Sequence, residues 1–193
     1  MKTKFITILF ILFFTAQINA QNYKIDSGHS SVQIQVERFG VVDVIGRFKA
    51  VDGTIHYNDK DFSKTQAEAV IQVASYDANN IGGEEAVKSK AFLNEKEYPE
   101  IKFKSKKTIT KSGVNYLIGD LTIHGVTKEI ELPYAVKGPL LDLPTKKQSI
   151  AFKASITINR QDYGVSFNAK LPSGTSIVGD DIKITLTILG IAE

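Results

Sequence analysis

The sequence predicts an all-β domain, a mostly antiparallel sheet of about eight strands closing into a barrel, with one short helix. Three observations lead there. Aliphatic and polar side chains alternate through most of the chain, as in Asp181-Ile182-Lys183-Ile184-Thr185-Leu186-Thr187-Ile188-Leu189, so each such segment has one face to bury and one to leave wet. Short runs of turn-forming residues separate these segments, which makes neighbouring strands meander. Gly46 and Gly53 interrupt the longest segment, where missing side chains let a strand bend as a closing barrel requires.

Taken in order, the alternation places strands over residues 23–26, 31–37, 44–57, 68–76, 100–110, 114–123, 128–136, 148–159, 165–167 and 182–189. Turns are expected at Asn58-Asp59, Lys111-Ser112-Gly113, His124-Gly125, between Pro139 and Pro144, and at Pro172-Ser173-Gly174. One stretch departs from the pattern: after a loop at 79–83, residues 84–93 read as a short helix. Glu84 and Glu85 come early and Lys88 and Lys90 late, an order that suits the helix dipole, while Val87 and Ala91 supply a modest apolar stripe.

The first twenty residues read as a secretory signal. Lys2 and Lys4 precede the apolar run Phe5 to Phe14, and small or polar residues follow to Ala20, the expected cleavage site, with Ala16 as an alternative. The run is too short to span a bilayer. The mature domain is then 21–193, and removing the two lysines takes the net charge from +3 to +1. Basic residues are scattered singly, which argues against nucleic acid. The chain has no cysteine, excluding disulfides, thiolate catalysis and sulfur-bound zinc.

Little in the sequence suggests chemistry. His29, His56 and His124 lack metal-ligand spacing and are expected to be ordinary hydrogen-bonding residues near strand ends. No serine sits on a Gly-x-Ser-x-Gly turn, and Ile81-Gly82-Gly83 is a weak phosphate-loop signal. Glu95 with Glu97 and Asp180 with Asp181 read as solvated acids. No catalytic residues and no metal ligands are therefore assigned. What remains is the apolar face, which includes Val32, Ile34, Val36, Ile71, Val73, Ile101, Phe103, Leu121, Ile123, Phe152, Ile156, Ile184 and Leu186. Periodicity favours a packed core there, because an eight-stranded barrel either fills its interior or keeps room for one small ligand.

The segment Gly119-Asp120-Leu121-Thr122-Ile123-His124-Gly125-Val126-Thr127-Lys128 resembles the signature of the YceI-like family of exported, lipocalin-like proteins. His29-Ser30, Gly46 with Phe48, Asp52-Gly53-Thr54-Ile55, Lys88-Ser89 with Ala91-Phe92-Leu93, Tyr98-Pro99-Glu100-Ile101 and Arg160-Gln161-Asp162-Tyr163-Gly164 follow in that family's order. At Arg38-Phe39-Gly40 the chain departs from relatives that place His before a hydrophobic residue and Gly.

The resemblance implies a lipocalin-like extended antiparallel β-barrel enclosing an apolar tunnel for a polyisoprenoid chain, such as a quinone or prenyl phosphate tail. The implied lining is Ile34, Val36, Phe39, Phe48, Ile71, Val73, Phe92, Phe103, Leu121, Ile123, Phe152, Ile156, Phe167, Ile184 and Leu186. Arg38 and Arg160 are head-group candidates, each with a plainer alternative: a surface arginine for Arg38 and an ion pair with Asp162 for Arg160. Leu140, Leu141 and Leu143 either edge the entrance or dock onto the barrel. The expectation is a periplasmic carrier with no cofactor other than a bound isoprenoid lipid or quinone, making at most transient contact with a membrane surface or membrane protein. A solid-cored stress module and an enzyme acting on a small apolar molecule are the alternatives.

Overall fold

Among the described residues, ten strands are connected in one antiparallel sheet that curls until β10 pairs with β1, closing an eight-stranded barrel with a single short α-helix. The computed structural model describes residues 21–193; the expected export signal lies outside the described residues. In chain order the strands are β1 (Gln21–Arg38), β2 (Val42–Phe48), β3 (Val51–Tyr57), β4 (Gln66–Gln72), β5 (Tyr76–Asp77), β6 (Glu100–Lys111), β7 (Val114–Ile123), β8 (Val126–Asp142), β9 (Lys147–Asn159) and β10 (Val178–Ala192), with helix α1 (Ile81–Lys88) between β5 and β6.

Alternation along each strand sets what faces inward, and one irregularity resets the count. Tyr23 and Ile25 are buried at odd positions of β1, yet Val32 is buried at an even one, because the register with β10 shifts between Asp26 and Ser31. The two segments expected at 23–26 and 31–37 are therefore one strand. The long segment 44–57, conversely, is divided at Lys49–Ala50 rather than at either glycine. Gly46 and Gly53 serve close approach instead: a Cβ on Gly46 would overlap the Tyr76 ring, and one on Gly53 would overlap the β4 backbone at Glu68.

The hairpins follow their turn chemistry. Ile123 pairs with Val126 and Lys111 with Val114 across two-residue turns, and both residues of each turn have positive φ: His124 and Gly125, Ser112 and Gly113. Pro139, expected at a turn, instead lies inside β8, where the register with β9 shifts between Lys137 and Leu140. The turn itself comes after Asp142, whose carboxylate accepts from the backbone N–H and hydroxyl of Thr145 at 3.0 and 2.6 Å.

Helix α1 starts and stops earlier than its sequence suggests. The Asn80 side chain accepts from Gly83 N at 3.1 Å and so caps the helix ahead of the two glycines. At the other end the Ser89 hydroxyl donates to Ala86 O at 2.7 Å, and Leu93 N turns back to Val87 O. Ala91, Phe92 and Leu93 consequently lie beyond the helix.

Candidate functional site

The barrel interior is hollow. A cavity of about 630 Å³ runs through it, within the range of small-ligand sites, and aliphatic and aromatic side chains make up most of its wall. Val32, Ile34 and Val36 of β1 face Ile182, Ile184 and Leu186 of β10 in direct register, and Ile156 and Ile158 continue the same layers on β9. Leu121 of β7 pairs with Phe103 of β6.

Its two ends differ. One is plugged: Tyr23, Tyr57, Tyr134 and Ile150 are buried but do not line the cavity, Tyr23 and Tyr57 meet edge-on at 6.5 Å, and Tyr134 stacks on Phe152 at 5.1 Å. At the other end the lining reaches exposed residues, including Glu37 and Arg38 at the end of β1 and Gly82 and Ala86 of α1. That end is the mouth, and α1 lies against it, with Gly83 and Val87 also contributing to the wall.

Of the implied tunnel residues, Ile34, Val36, Phe48, Ile71, Phe92, Phe103, Leu121, Ile123, Phe152, Ile156, Phe167, Ile184 and Leu186 line this space. Phe39 and Val73 do not. Phe39 occupies the β1–β2 turn with φ 57°, its N–H bonded to Ile177 O and its ring beneath the Arg38 guanidinium at 3.9 Å. Val73 keeps the parity of Ile71, but the strand has already become a 3-10 turn over Val73–Ser75, so its side chain is packed in the core away from the cavity. Ile25, Val51, Ile55, Leu117, Tyr76 and Tyr163 also line the cavity and were absent from the implied set. Ile25 was legible as an alternating residue of β1. Tyr76 was not, because only the tertiary position of β5 turns it inward.

The two arginines have different surroundings. Arg38 is exposed at the mouth. Arg160 is buried and clamped: Nε donates to Gly179 O at 2.9 Å, Nη1 to Val165 O at 2.6 Å, and Nη2 to Phe167 O and Asp180 Oδ1 at 2.7 Å each. The expected partner Asp162 instead faces Lys128 at 3.4 Å. The same clamp explains why residues 165–167 do not form the expected strand, since the carbonyls of Val165 and Phe167 are taken by the guanidinium.

The exposed leucines are placed away from the mouth. Leu140, Leu141 and Leu143 are 72, 55 and 72 % exposed, neither docked on the barrel nor lining the cavity, and they sit at the plugged end near the β8–β9 turn. The histidines are scattered. His29 Nδ1 contacts Asp26 Oδ2 and His56 Nδ1 contacts Asn22 Oδ1, both at 2.8 Å. His124 departs from expectation: its buried Nε2 has no partner among the described residues, and its ring packs edge-on against Tyr98 at 4.5 Å. No group of three His, Asp or Glu among the described residues could hold a metal ion.

Comparison with known proteins agrees with this architecture. A UPF0312 protein of Staphylococcus aureus is 32% identical over 162 residues, covering 84% of this chain and 92% of its own length. Among solved structures, Burkholderia cenocepacia BcnA superposes with a TM-score of 0.74 at 23% identity, covering 86% of this chain and 98% of that one. A polyisoprenoid binding domain from Saccharophagus degradans, implicated in plant cell wall breakdown, gives 0.68 at 12% identity over 91% of this chain and all of its own. With the family model for the YceI-like domain matching residues 23–189, the chain belongs to the YceI-like family.

Proposed function

We propose that this protein is a non-enzymatic carrier or store for an isoprenoid lipid of the quinone or prenyl phosphate type, exported to the periplasm or beyond and loaded by transient contact with a membrane. The observation that carries the reading is the open apolar cavity in a barrel whose far end is plugged. An isoprenoid chain offers only apolar surface, so an aliphatic wall needs no buried polar partners along it. At about 0.8 kcal/mol per buried CH2-sized group, each five-carbon unit contributes roughly 4 kcal/mol before the cost of ordering the chain. The polyisoprenoid binding domain from Saccharophagus degradans shares the fold, which supports the same choice of ligand class. The apolar character of the wall favours binding over catalysis, and the signal-like first twenty residues support export.

Leu121→Trp tests this directly. Leu121 lines the cavity, so the larger ring should enter that space and block it. The expected result is loss of binding to a tetraprenyl benzoquinone, with the stability of the lipid-free protein changed by less than about 1 kcal/mol. A loss of about 1 to 3 kcal/mol, as in an overpacked solid core, would contradict the tunnel.

A further inference from the structure

Tyr76 stands apart from the rest of the cavity wall. It lies in β5, pairs with Phe48 of β2, and its ring sits 5.2 Å from the Phe48 ring. Only 4% of it is exposed, yet it lines the cavity. Its direction is fixed by Gly46, an inward position of β2 between the cavity residues Val44 and Phe48. A Cβ there would overlap the Tyr76 hydroxyl, so the hydroxyl reaches across into space that any other residue at 46 would fill. Among the described residues that hydroxyl has no hydrogen-bond partner, whereas Tyr98 outside the cavity donates to Glu97 at 2.9 Å. The hydroxyl is not among the fully buried atoms left without a partner, so it keeps some access to the cavity and is free to donate there.

We propose that Tyr76 is the interior polar anchor of the tunnel, its hydroxyl donating a hydrogen bond to an uncharged oxygen acceptor, a carbonyl or an alcohol, carried on the isoprenoid chain. The assignment rests on the lipid-carrier reading and narrows it. A phosphate is disfavoured at this point. Arg160, a buried cation of the wall, already donates to four backbone carbonyls and to Asp180, and Arg38 stands exposed at the mouth. The Glu84 carboxylate, on the helix beside the mouth, adds to burial in holding the Tyr76 phenol protonated, and it would repel an anion brought to the same place. A neutral acceptor meets a neutral donor without either penalty.

The test compares the wild type, Tyr76→Phe and Tyr163→Phe, each stripped of lipid, against two probes: a tetraprenyl benzoquinone and the hydrocarbon squalene. Tyr163 serves as the control because it is the other buried tyrosine of the wall without a hydroxyl partner. Y76F is expected to bind the quinone about tenfold more weakly, as the loss of one hydrogen bond implies, and to bind squalene as the wild type does. The infrared carbonyl stretch of the bound quinone should be lowered in the wild type and in Y163F, and return to its hydrocarbon-solvent position in Y76F. Equal weakening toward both probes, no weakening, or a loss confined to Y163F would each overturn the assignment while leaving the carrier reading standing. Failure of the wild type to bind either probe would instead overturn the carrier reading, and the anchor with it.

Discussion

Arg160 Nη2 and Asp180 Oδ1 meet at 2.7 Å, with the guanidinium buried and the carboxylate half exposed. The contact ties the 3-10 turn at Arg160–Tyr163 to the start of β10, while the remaining guanidinium bonds hold the carbonyls of Val165, Phe167, Val178 and Gly179. Removing the side chain strands those acceptors as well as the carboxylate. Arg160→Ala is expected to cost about 3 kcal/mol, read as a lower urea midpoint at unchanged slope. Asp180→Asn, which leaves the carbonyl bonds intact, is expected to cost about 1 kcal/mol. Equal costs would place the stabilisation in the ion pair rather than in the clamp.

The buried tyrosines make the fold sensitive to alkali. Burial pushes the phenols of Tyr23, Tyr57, Tyr76 and Tyr163 above their ordinary value of 10.0. A group whose folded-state value is raised contributes stability that is complete below the unfolded value, and that contribution is lost as pH rises through the folded value. Stability should therefore hold up to about pH 10 and fall above it. Tyrosinate absorbance from these four residues should appear together with loss of the β-sheet circular dichroism signal. Their smooth ionisation in a protein that stays folded would contradict this burial.

Acid acts through the surface. Asp26, Asp52 and Asp77 are held below the usual carboxylate range, chiefly by hydrogen bonds from His29, Lys24 and Lys49 respectively. A depressed value gives stability that is present above the unfolded value, 3.8 for these groups, and lost as pH falls through the folded value. These pairs are solvent-exposed, so 1 M salt should shrink the acid-dependent loss below pH 4. An acid transition insensitive to salt would point away from these pairs.

Helix α1 lies against the mouth of the cavity. Gly82 and Gly83 lie in its first turn, and an added Cβ at either would make only ordinary contact with the Asn80 side chain. Ala at each position should stabilise the helix by up to about 1 kcal/mol. Amide exchange across residues 81–88 should slow, and lipid uptake with it, because the element lining the mouth opens less often. Slower amide exchange with unchanged uptake would show that lipid enters elsewhere.

The three exposed leucines supply a control. They lie at the plugged end, so replacing Leu140, Leu141 and Leu143 together with Ser should leave lipid affinity and uptake unchanged. Slower uptake would relocate the entrance.

The barrel was legible because its signal is local. Alternation over Ile182 to Ile188 and Ile156 to Ile158, with two-residue turns such as His124-Gly125, specifies strands, faces and neighbours from residues adjacent in the chain. Much of the cavity wall follows from the same parity. The failures share a different cause. Val73 drops out because a strand stops one residue before it, and Phe39 because a turn starts at it, boundaries that alternation does not mark. Asp180 replaces Asp162 as the partner of Arg160 because the pairing depends on where β10 returns, twenty residues along the chain. Tyr76 was missed for a related reason: its role comes from Gly46 on another strand.

If the hollow of this barrel holds an isoprenoid lipid, that lipid should accompany the purified protein. Native mass spectrometry of the protein taken gently from the cells that make it, followed by solvent extraction, tests it most directly. The expected result is a single adduct whose extracted mass corresponds to an isoprenoid lipid, absent from Leu121→Trp prepared in parallel. Wild-type protein recovered at its bare mass, with no apolar molecule in the extract, would contradict it.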